Sequence, residues 1–126
     1  MQNAIPLSLA AFIAVAVAAI GCFYLASPER MVGSFGLKPP APDADTRAWL
    51  RLKGIRDLGC GLVVLILIVT ADRRSLGFAL LALAIIPFGD MSIVLGSNGS
   101  KSKAFSIHGL TCAVMLVLGL LLIHAT

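Results

Sequence analysis

The stretch RLKGIRDLGCGLVVLILIVTA, residues 51–71, decides how this chain is read. Its second part, Leu58–Ala71, runs for 14 residues without a charge. As a helix it covers ~21 Å, short of the ~30 Å hydrocarbon core of a bilayer. Asp72, Arg73 and Arg74 close it on the C-terminal side. A crossing helix must therefore borrow residues from its N-terminal side, and a span of about 20 residues counted back from Ala71 reaches Leu52. Lys53, Arg56 and Asp57 are thereby drawn into the membrane or to its inner boundary. Trp49 falls where an interfacial aromatic anchors a helix end.

The composition agrees with a lipid environment. The 126 residues are 59% hydrophobic and only 13% charged, with mean hydropathy +0.99. A soluble domain carries about 25% charged residues, so a fully water-facing surface is excluded. The net charge of +4 is not a nucleic-acid signature, because the basic residues sit at segment ends and not among interleaved aromatics. There is no Gly-rich phosphate loop and no Ser/His/Asp arrangement. Cys22, Cys60 and Cys112 lie far apart inside apolar segments, which gives neither a disulfide framework nor a close metal-ligand pair. No metal and no cofactor are expected.

Three more apolar segments complete the pattern, and none shows the period-2 alternation of strands. Helices are expected at about 4–26, 47–71, 75–97 and 104–125, in one membrane domain covering 1–126. The first is read as a span and not as a cleaved signal, since it has no basic start. Short second and third loops make neighbouring helices antiparallel. The fold class expected is all-α, an antiparallel four-helix transmembrane bundle. In the long first loop, 27–46, Ser27 and Pro28 open a short interfacial helix over about 28–35. Met31, Val32 and Phe35 recur at helical spacing as its interfacial face, and Gly36 stops it. Asp45 or Thr46 is expected to cap the second helix. The first and third loops hold Arg30, Lys38, Arg47, Arg51, Lys101 and Lys103, against Arg73 and Arg74 in the middle loop. The positive-inside rule then makes those two loops cytoplasmic and puts both termini outside, in a bacterial inner membrane.

Depth brings the remaining charges together. Asp57 lies ~12 Å beyond Trp49, Asp90 ~10 Å before Ser97, and His108 ~8 Å after Lys103. All three reach one layer from the same side. Lys53 and Asp57 are i,i+4 neighbours with Arg56 beside them, and Asp90 is expected to pair across helices with Arg56 or Lys53. Pro87 frees a backbone carbonyl near this level, and Gly54, Gly59, Gly61, Gly89 and Gly109 allow close helix approach. Intramembrane ionisable groups mark sites more often than not. The candidate acid/base pair is Asp90 and His108, with Lys53, Arg56 and Asp57 as binding residues. Simpler roles stand beside these: Lys53 snorkelling to the interface, Arg56, Asp57 and Asp90 locking helix register, and His108 as a packing residue. His124, near the terminus, is given no role.

The segments RLKGIRDLGCGL, IIPFGDMSIVLGS and AFSIHGL, with PERMVGSFGL after the first helix, resemble an uncharacterised family of small membrane proteins, broadly like the DoxX group. The matching positions are Arg51, Lys53, Gly54, Arg56, Asp57, Gly61, Asp90 and His108. The resemblance implies four transmembrane helices. It implies no activity, and the quinone-coupled redox chemistry linked to some DoxX-like proteins has no cofactor motif here to support it. The partners expected are the lipid bilayer and a small apolar ligand, without nucleic acid; a homo-oligomer is left open. The leading function is an intramembrane pocket that binds or transforms a small lipid-soluble molecule. A small proton-coupled transporter and an accessory subunit of a membrane complex are the alternatives.

Overall fold

The computed structural model describes residues 4–124. Among them there is no strand. Helix α1 spans Ala4–Ala26, and α2, Pro28–Met31, continues into a 3-10 turn, Val32–Ser34. Helix α3 spans Ala44–Thr70, α4 Arg73–Leu83 and α5 Ile85–Gly96. Helix α6, Lys101–Lys103, passes through a π-helical turn, Ala104–Gly109, into α7, Leu110–His124.

Helix α1 and the runs Arg73–Gly96 and Lys101–His124 are long and apolar enough to cross a membrane, which marks the chain as a membrane protein. Their outward faces agree: Phe12 and Ile85 are each 71% exposed and Val69 on α3 is 79% exposed. Apolar surface on this scale is a liability in water and ordinary against lipid. Helix α3 has 27 residues, ample length, but Lys53, Arg56 and Asp57 keep it out of the apolar class.

The helix starts lie earlier than the apolar pattern places them. Asp43, not Asp45 or Thr46, caps α3, its carboxylate accepting the Thr46 N–H at 2.7 Å. Asp72 caps α4 through the Ser75 N–H at 3.0 Å, so the third helix begins at Arg73 and not at 75. Ser100 accepts from the Lys103 N–H at 3.3 Å, so the fourth begins at Lys101 and not at 104. In each case a short polar side chain satisfies an N–H that the helix end leaves open. Ser27 stands at the N-cap of α2 without a side-chain cap bond. The expected end of the fourth helix, 125, lies outside the described residues. The third helix is broken at Ala84, one turn before Pro87, whose ring lacks an N–H and crowds the Leu83 carbonyl.

Two antiparallel pairs organise the packing. On α1 and α3, Gly21 meets Gly54 and Leu58, while Gly61 meets Ala14 and Ala18. A Cβ on Gly54 would lie 2.8 Å from the Gly21 carbonyl oxygen, and one on Gly61 2.5 Å from that of Ala14. On α4 and α7, Gly77 faces Gly119 and Ile123, and Leu76, Leu80, Leu118 and Leu122 are buried around them. Small residues let backbones approach where lipid supplies no hydrophobic drive. Gly59 and Gly89 were expected to serve the same end, but a Cβ on either meets nothing within 4 Å. They lie on faces no other helix approaches.

Gly54→Leu should therefore destabilise the protein by about 1–3 kcal/mol or more through overpacking, and Gly59→Leu should leave stability near wild type; unfolding titrations in mixed micelles compare the two. The caps give a second expectation. The Thr46 N–H holds Asp43 below the usual 3.8, and the Ser75 hydroxyl and N–H do the same for Asp72. A depressed carboxyl contributes stability above its unfolded pKa and loses it as pH falls through the folded value. Thermal midpoints should fall as pH drops below 3.8, and Asp43→Ala with Asp72→Ala should remove that part of the fall.

Candidate functional site

Asp57 is the centre of the polar layer. One turn of α3 brings the Lys53 ammonium onto its Oδ2. Arg56 donates to the other oxygen, Oδ1, from Nη2 at 3.1 Å and Nε at 3.2 Å. The same Nη2 reaches Asp90 Oδ2 on α5 at 3.4 Å. His108 Nδ1 stands 4.0 Å from that Asp90 oxygen. The five residues singled out by depth thus converge, and the cross-helix partner of Asp90 is Arg56.

Lys53 turns into the cluster. Its side chain is only 19% exposed, and its ammonium lies 4.4 Å from the ring centre of Tyr24 and 5.0 Å from that of Phe35. Two aromatic faces and a carboxylate hold the charge inside. Arg56 remains 42% exposed and lies behind the two carboxylates.

The first loop closes the site. Gly36, at φ 105, turns the chain as only glycine readily does, and its carbonyl accepts the Ser100 N–H at 2.7 Å. Lys103 Nζ donates to the Gly33 carbonyl at 2.6 Å. The first and third loops therefore share one end of the molecule. Tyr24 donates its hydroxyl to the Met31 carbonyl at 3.1 Å. Phe35 stacks at a tilt on His108, ring centres 4.5 Å apart, and its carbonyl lies 2.9 Å from His108 Nε2. A carbonyl can only accept, so Nε2 carries the proton. Met31 and Phe35, expected as an interfacial face, turn inward here and line a cavity.

That cavity holds about 300 Å³. Lys53, Asp57, Asp90, His108 and Tyr24 line one end; Ala10, Ile13, Val64, Leu80, Leu83 and Met115 line the rest. From Tyr24 back to Ala10 along α1 is ~21 Å. Arg56 does not line it, so its contact is with the carboxylates and not with an occupant. His108 sits in the π-helical turn, where the Leu110 N–H reaches the Phe105 carbonyl five residues back. Such turns recur at functional sites.

The cysteines diverge. Cys60 lines the cavity, Cys112 is buried and donates to the Ala84 carbonyl at 3.5 Å, and Cys22 is exposed. His108 and Cys112 each have their own carbonyl partner. Among the described residues no group of three or more His, Cys, Asp or Glu could hold a metal. His124 is exposed and far along α7 from the cluster.

Tyr24, Ser34, Phe35 and Thr111 also line the cavity and are missed by reading the charges alone. Tyr24 was within reach of the depth argument, being the chain's one tyrosine and three residues before Ser27. Phe35 carried no such signal, because nothing in a loop's periodicity says which way it folds.

Asp57→Ala should leave Lys53 buried without its counter-charge and destabilise the fold by about 3–5 kcal/mol. Replacing the pair together, Lys53→Met with Asp57→Leu, should recover much of that loss. Unfolding titrations in mixed micelles measure both.

No curated protein and no solved structure matches the chain. A family model, described as a domain of unknown function, matches residues 14–122, a range that takes in every residue of the polar layer. That description names no activity and no kinship to the DoxX group. With this match across the greater part of its length, the chain belongs to the DUF4267 family.

Proposed function

We propose that the chain is a multi-pass integral membrane protein, a bundle of four transmembrane helices with α3 as the fourth, that binds a small lipid-soluble molecule in its central cavity. One observation carries this reading: the cavity is apolar along most of its length and gathers its ionisable groups at a single end. A pocket of that build takes an amphipathic molecule from the bilayer and orients it. Lys53 and the two carboxylates fix the polar end, and Asp90 with His108 is the acid/base pair, able to take a proton from a bound group and return it. Pairing of Lys53 and Arg56 with the carboxylates is what makes α3 tolerable in lipid.

The loops that close the site carry most of the basic residues, which supports a cytoplasmic position for that end and external termini, in a bacterial inner membrane. A structural lock is the second reading, favoured by the Arg56 guanidinium joining Asp57 to Asp90 across α3 and α5.

Purification in a mild detergent followed by native mass spectrometry tests the reading. Wild-type protein should carry a small lipid-soluble molecule, and Leu83→Trp, which fills the cavity from one wall, should release it while keeping the helical circular-dichroism signal. Asp90→Asn and His108→Ala should fold and lose cellular function. If those two variants retain function and no molecule is carried, the lock reading stands in its place.

A further inference from the structure

We infer that the cavity selects an uncharged single-chain amphiphile whose head group is a hydrogen-bond donor, a hydroxyl above all. This rests on the binding reading above and specifies its ligand.

Charge balance gives the first argument. The polar end holds two cations, Lys53 and Arg56, and two carboxylates, Asp57 and Asp90, each already paired within the cluster. No cation is spare for an anionic head, and no carboxylate is spare for an ammonium. A charged head would lose its hydration on entry without gaining a counter-ion.

The second argument comes from the directions of the hydrogen bonds. The Phe35 carbonyl takes the Nε2 proton of His108, and the other ring nitrogen, Nδ1, faces Asp90 from 4.0 Å away. That gap is too wide for a direct bond and leaves room for the head group of an occupant. Asp90 Oδ2 is held by Arg56, while Oδ1 accepts no hydrogen bond among the described residues. The other groups near the site are committed as donors: Tyr24 to Met31 and Thr111 to Ile107. What the cavity offers is acceptors, and what it lacks is a donor. A hydroxyl supplies one O–H, which the open Asp90 Oδ1 can accept.

Shape supplies the third argument. About 300 Å³ is at the lower end for ligand pockets, roughly 300–1,000 Å³. That suits one chain lying along α1 and not the two chains of a phospholipid.

Decanol, decanoic acid, decylamine and decane, each titrated against wild-type protein in lipid nanodiscs and read by native mass spectrometry, separate the possibilities. Decanol should bind about tenfold or more tighter than the other three, the factor expected from one hydrogen bond to a charged acceptor. Asp90→Leu should bring decanol down to the level of decane and leave decane unchanged. In wild-type protein, decanol and not decane should shift the NMR signal of His108 Nδ1. Tighter binding of decanoic acid or decylamine, or equal binding of decane, overturns the inference and leaves the cavity reading intact. Binding of none of the four overturns both. The wild-type series decides the matter even if the Asp90 variant fails to fold.

Discussion

A carboxylate on an apolar helix must find positive charge, and Asp57 finds it twice. Lys53 comes from one turn earlier and Arg56 from the adjacent position. Removing Asp57 leaves the Lys53 ammonium without its counter-charge, a cost of several kcal/mol. The pairing also fixes geometry. Arg56, once committed to Asp57, presents the same terminal nitrogen to Asp90 and so links α3 to α5. Lys53, once committed, must lie over Tyr24 and Phe35, which ties α1 and the first loop to the same point.

Small residues make that convergence feasible. Gly21, Gly54 and Gly61 bring α1 and α3 into backbone contact, close enough for Tyr24 to reach under Lys53. On the other pair, Gly77 and Gly119 do the same for α4 and α7. Where the long helical runs meet, Ala10, Ala14 and Gly61 leave space unfilled and line the cavity. Its polar end is closed by a loop whose backbone, through Gly33, Phe35 and Gly36, supplies the acceptors for Lys103, His108 and the Ser100 N–H. Backbone carbonyls thus do work that side-chain chemistry does not announce.

The break at Ala84 and the π-helical turn at His108 are local departures from regular helix on neighbouring elements, with Cys112 on α7 reaching the Ala84 carbonyl at 3.5 Å. Pro87 accounts for the first. It is buried and lines the cavity three residues before Asp90. The π-helical turn shifts the register of His108 against the regular helix that follows, which is how the imidazole reaches both Phe35 and Asp90.

The sequence by itself determined the apolar helical character, the shortness of the uncharged run after Asp57, and hence the gathering of Lys53, Arg56, Asp57, Asp90 and His108 at one depth. These follow from counting residues along helices of known rise, a property that needs no knowledge of neighbours. Helix starts were legible only to within a few residues, because Asp43, Asp72 and Ser100 cap by three-dimensional reach and not by hydropathy. Three things belonged to the tertiary structure alone. It chose Arg56 over Lys53 as the partner of Asp90, turned Phe35 inward onto His108, and split the glycines into those at contacts and those on open faces. Depth is a one-dimensional quantity that a sequence carries. Rotation about each helix axis and the path of a loop are set by packing against elements distant in the chain, and no local pattern encodes them.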